Sequence, residues 1–92
     1  MSEHIPVESA LTILQSAFSP LRCVAESWDY GNQARFRVFD ADDPLVSMHG
    51  LLRGQVTDSR RLEWLINHVR ENLTERGYVL DPWQFPGGLV ET

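Results

Sequence analysis

Apolar side chains recur along this chain in two rhythms, one helical and one alternating, and the places where the rhythm changes predict its elements. Over residues 58–77, Leu62, Leu65, Ile66, Val69 and Leu73 fall at i, i+3, i+4, i+7 and i+11. At about 100° per residue they keep to one face of an amphipathic helix. Asp58 or Ser59 can cap its first turn, and Gly77 can take the left-handed backbone that closes its last, bringing Tyr78 against Leu73. Residues 6–18 repeat the helical rhythm with Val7, Ala10, Leu11, Leu14, Ala17 and Phe18. Pro6 suits the first helical position, Glu8 complements the positive end of the dipole, and Pro20 prevents continuation past Ser19.

Between these helices the pattern changes. Residues 21–28, L-R-C-V-A-E-S-W, have no helical stripe and lead into the turn formers Asp29, Gly31 and Asn32, which predicts a strand and a hairpin. After the turn, Ala34, Phe36 and Val38 alternate with Arg35, Arg37 and Phe39, the period of a half-buried second strand. The segment D-A-D-D-P, ending at Pro44, favours a turn and resists extension of the ladder. A third strand over 45–53 puts Val46, Met48 and Leu52 on one side and Ser47, His49, Leu51 and Arg53 on the other, with Gly50 marking a bulge and Gly54 the strand's end. Consecutive strands with short connections pair antiparallel, and two apolar helix stripes need a surface that one sheet face can supply. The expected fold is therefore α+β in the order helix-strand-strand-strand-helix, an antiparallel three-stranded sheet with both helices on one face. After Gly77, the proline- and glycine-containing segment 78–92 has bulky apolar residues without regular spacing and is expected to form an irregular C-terminal tail.

Composition narrows the class without naming an activity. Ninety-two residues, 42% of them hydrophobic, suit a single domain with a core over about 6–77 and a tail over 78–92. No apolar run reaches the roughly 18 residues of a membrane span. The N-terminal M-S-E-H-I-P-V-E lacks the basic region of a secretory signal, and a lone cysteine, Cys23, cannot form an internal disulfide. A cytoplasmic protein without membrane contact is expected. Thirteen acidic residues oppose 8 basic ones, all arginine, so the field of the whole molecule repels nucleic acid and anionic lipid.

Candidate chemistry is sparse. His4, His49 and His68 sit in three different elements, the aspartates at 40, 42 and 43 lack the glycine and distal glutamate of a calcium loop, and Gly87-Gly88 has no phosphate-loop spacing. No nucleophile-elbow pattern occurs. Neither a cofactor nor enzyme activity is expected, and Cys23 is expected to be a packed small side chain more than a reactive thiol. More informative is the outer side of the sheet, where Arg35, Arg37, His49 and Arg53 alternate outward, joined by Arg22 if its strand keeps the same parity, with Phe39 and Trp28 among them. Arginine interleaved with aromatics suits an anion or single-strand nucleic-acid platform, but an ordinary exposed face whose arginines pair with carboxylates is about twice as common an explanation.

The stretch L-Q-S-A-F-S-P-L-R-C (Leu14 to Cys23), followed by R-F-R-V-F-D (Arg35 to Asp40), resembles a family of short bacterial proteins classified as a domain of unknown function. The likeness covers about residues 7 to 76, and its most specific part is A-F-x-P-L-R-C, here Ala17, Phe18, Pro20, Leu21, Arg22 and Cys23. The resemblance implies the same order of elements and brings no activity, cofactor or catalytic residue to these positions. The tail after Gly77 departs from the family pattern. Double-stranded RNA-binding domains share the order of elements, but here the last helix opens with only Arg60 and Arg61 in place of a lysine cluster.

The expected function is that of a small non-catalytic interaction or regulatory module for a protein or anionic partner, as a monomer or homodimer. The alternative is an RNA-binding module using the arginine-bearing sheet face. The expected contact residues are Arg35, Arg37, His49 and Arg53 on the sheet, together with Trp64, Trp83 and Phe85. Trp64 projects away from the apolar stripe of its helix, so either the tail, with Trp83 and Phe85, folds back to cover it, or these aromatics form an exposed patch. The fold-back is the favoured expectation.

Overall fold

The computed structural model describes residues 5–28, 30 and 32–85. Helix α1 (Val7–Ser16) is followed by strands β1 (Arg22–Trp28), β2 (Gln33–Asp40) and β3 (Asp43–Leu52), a short helix α2 (Arg53–Thr57) and the long helix α3 (Ser59–Glu75). The strands form an antiparallel sheet in the order β1-β2-β3, as the alternating pattern predicts. His4, Asp29, Gly31, Gly87 and Gly88 lie outside the described residues.

α3 forms where the helical rhythm places it, and its buried residues are the five of the predicted stripe. Asp58 caps it, its Oδ1 accepting from the backbone N–H groups of Arg60 and Arg61. At the other end the N–H of Gly77 donates to Thr74 and that of Tyr78 to Leu73, with Gly77 at φ 98°. This paired closure requires a left-handed residue, which glycine adopts without a Cβ clash. In α1 the buried residues are Ala10, Ile13 and Leu14, with Pro6 as N-cap residue and not the first helical position. Just beyond its end, the Ser19-Pro20 peptide bond is cis.

One face of the sheet meets both helices. Cys23, Ala25, Ala34, Phe36, Val38 and Leu51 share a core with Ala10, Ile13, Leu14, Ala17 and Phe18 from the first helical region and with the α3 stripe. The Phe18 and Phe36 rings stack at 5.8 Å inside it. Cross-strand partners lie on the same face, so Val46 follows Val38 and Met48 follows Phe36 toward the core.

β3 departs from its expected form in three ways. It begins at Asp43 and includes Pro44, a residue tolerated on an edge strand because its missing N–H need not face a neighbour. The connection from β2 is the short turn Ala41-Asp42, with Ala41 at φ 55°. Gly50, at φ 67°, adds a residue between the pairs Phe36–Met48 and Ala34–Leu51. Such an insertion inverts the side-chain alternation after it, so Leu51 is buried and Leu52 exposed, the reverse of the expected faces.

The expected order also lacked α2. Arg53 does not continue β3; its N–H donates to the Asn32 carbonyl and its residue opens the helix. The Leu52 N–H is satisfied by Gln55 Oε1 at 2.7 Å, while Val56 and Thr57 are buried. The N–H of Ile5 donates to the Thr57 carbonyl, tying the start of the described chain to this helix. Gly54 therefore lies inside a helix and does not end a strand.

Candidate functional site

The sheet face opposite the helices is built by the outward positions of β1 and β2. Arg22 pairs with Phe39, Val24 with Arg37 and Glu26 with Arg35, and these six residues line a shallow depression of about 110 Å³. The Arg22 guanidinium lies 4.6 Å from the Phe39 ring centre, and that of Arg35 lies 5.5 Å from the Trp28 ring. A cation above an aromatic ring is held by the ring quadrupole. Arg35 is also fixed by Glu26, at 3.1 Å. Arg37 stands between them, exposed, and among the described residues it has no ion-pair or hydrogen-bond partner.

Of the residues expected on this face, Arg35 and Arg37 are brought together, and Arg22, which depended on strand parity, joins them. His49 is exposed on β3 beside the Gly50 insertion and does not line the depression. Arg53 is removed from the face because the chain has already turned into α2; it lies beside Pro6 and Gly54 instead.

Trp64 is 66% exposed, and none of the described tail residues lines the groove beside it. Its ring stacks on His68 one helical turn later, with centroids 5.1 Å apart and planes within 7°. The tail does fold back, but over a different flank. Asp81 donates its N–H to the Ser19 carbonyl and accepts from the Ser19 hydroxyl, while Trp83, Gln84 and Phe85 border a cleft with Glu63 and Asn67 of α3. Arg70 holds the junction. Its guanidinium donates to the carbonyls of Ala17 and Asp81 and lies 5.9 Å from the Trp83 ring centre. Burial lowers the Arg70 pKa from its ordinary value, and the Asp81 charge opposes that shift. The favoured expectation that the tail covers Trp64 is therefore corrected: Arg70 steers it toward the end of α1.

On the helix side, Leu51, Gln55, Arg60, Arg61, Trp64 and Leu65 line a second, larger depression of about 380 Å³. Sequence spacing missed this groove because it depends on Leu51 pointing inward, which the Gly50 insertion causes. The position of Trp64, off the apolar stripe of its helix, was the legible part.

Cys23 is buried in the sheet core, and loss of water around it pushes the thiol up to about 12. At neutral pH it is protonated and a poor nucleophile. Among the described residues no three potential metal-ligating side chains converge, and no helix is long and apolar enough to cross a membrane. Compared with protein families, curated proteins and solved structures, the chain matches none.

Proposed function

We propose that this chain is a small non-catalytic interaction module whose outer sheet face binds an anionic segment of a partner protein. The observation that carries this reading is the arrangement of Arg22, Arg35 and Arg37 around one depression, with Glu26 as its only carboxylate among the described residues. Two of the three guanidiniums are held over aromatic rings, which fixes their planes before a partner arrives. Planar donors so held match carboxylates in a forked geometry and lose little freedom on binding. Arg37 supplies the uncommitted charge. A cytoplasmic setting fits a lone, buried thiol.

RNA is the second reading, supported by the order of elements and the arginine-bearing face. Against it stand the net charge of −5 and two rings already occupied by guanidiniums, which leaves less aromatic surface for stacked bases. The test uses two probes, a blocked oligoglutamate peptide and a single-stranded oligouridylate, each at low and physiological salt. The module should bind the peptide, and the double variant Arg22→Gln, Arg37→Gln should weaken binding about tenfold or more with an unchanged thermal midpoint. Salt-steep binding of the oligouridylate alone would replace the protein reading with RNA. Equal peptide binding by variant and parent would remove the sheet face from the function.

A further inference from the structure

The geometry points to a second docking site on the helix side of the sheet: the groove of Leu51, Gln55, Arg60, Arg61, Trp64 and Leu65 receives a partner segment that presents a large apolar side chain next to a carboxylate. Its floor is apolar. Leu51 and Leu65 form the base, and the Trp64 indole, held by its stack on His68, forms an exposed wall. A space of about 380 Å³ lies at the small end of ligand-sized pockets. Aromatic anchors seated in such pockets dominate many protein interfaces.

The rim identifies the other half of the occupant. Arg60 and Arg61 are both exposed, and among the described residues Arg60 has no ion-pair partner. Arg61 approaches Asp58 only at 4.0 Å, with that carboxylate's Oδ1 already accepting two backbone N–H groups of α3. Gln55 uses its oxygen on the Leu52 N–H, which leaves its NH₂ without a hydrogen-bond acceptor among the described residues. The polar side-chain groups left at the rim are donors, two of them cationic, so an apolar group accompanied by an anion complements it. The chain's own described tail does not compete, because Trp83 and Phe85 lie on the flank of Glu63 and Asn67. The groove and the arginine depression share no lining residue, so each can be altered alone.

The probe is the blocked peptide acetyl-Asp-Phe-Glu-Leu-amide, titrated into the full chain and followed by amide and indole nitrogen–proton NMR. Resonances of Leu51, Gln55, Arg60, Arg61 and Leu65 and the Trp64 indole should shift, the last assigned with Trp64→Phe. The variant Arg60→Gln, Arg61→Gln should bind about tenfold more weakly or worse with an unperturbed spectrum elsewhere. A probe with Asn and Gln for its acids should lose as much, and one with Ala for Phe should lose binding altogether. Absence of shifts, shifts confined to the arginine face, or equal binding by the variant would overturn the proposal. So would a dimeric mass by light scattering without the probe that falls to the monomer value in Trp64→Ala, since a second copy would then fill the groove.

Discussion

Along β2, Ala34, Phe36 and Val38 are buried in the core shared with α1 and α3, while Arg35, Arg37 and Phe39, each one residue away, face outward with no second layer over them among the described residues. The two faces have the same backbone and the same register, yet they are held by different forces. Inside, shape and volume are fixed by neighbours on every side, so a missing group leaves a void that the structure fills poorly. Outside, each charge keeps most of its water, and cation–π and ion-pair contacts add little to stability while fixing geometry. Cost of substitution and relevance to binding should therefore run in opposite directions across one strand.

The largest effect expected is at Phe36, fully buried and stacked on Phe18. Phe36→Ala should lose about 3–5 kcal/mol in urea unfolding, a large part of the stability of a domain this size. If the loss is below about 1 kcal/mol, the core is not packed as described.

A second effect, confined to alkaline pH, is expected at Cys23. Its folded pKa of about 12 lies above the ordinary thiol value of 9.0, so the buried neutral form contributes stability below pH 9 that is lost as pH rises toward the folded value. Parent stability should fall by about 1.4 kcal/mol per pH unit across that window, relative to Cys23→Ala. Parallel pH profiles for the two proteins would place the thiol in water.

The smallest effect is on the outer face. Arg37→Gln should change unfolding free energy by less than about 0.5 kcal/mol, since its guanidinium has no partner among the described residues to lose. A larger loss would make this arginine structural and erase the contrast between the faces.

What could be read in advance divides along physical lines. The α3 stripe was legible because seventeen residues sample the helical period almost five times, with Asp58 and Gly77 marking both ends. α2 was not, since five residues are too few to establish a period and one of them is glycine. At β3 the glycine of the bulge was recognised, but its effect on parity has to be carried past it; doing so moves Leu51 inward and reveals the groove beside Trp64. Arg22, Arg35 and Arg37 were visible because alternation alone assigns them a side. Arg70 was hidden: its acceptors are the carbonyls of residues 17 and 81, and no local pattern announces a contact between such distant positions.

The irregularities of β3 have a consequence for what this edge offers to another strand. A strand at the border of a sheet offers a row of backbone groups on which another chain can build, the route by which exposed sheets grow into aggregates. Here that border begins with Asp43 and Pro44, and regular pairing with β2 is broken on either side of Val46, Ser47 and Met48. The Leu45 carbonyl is already occupied by Arg76. A newcomer strand would find a template interrupted by an imino acid near one end and a left-handed glycine near the other. This border of the sheet is thus poorly suited to indiscriminate growth.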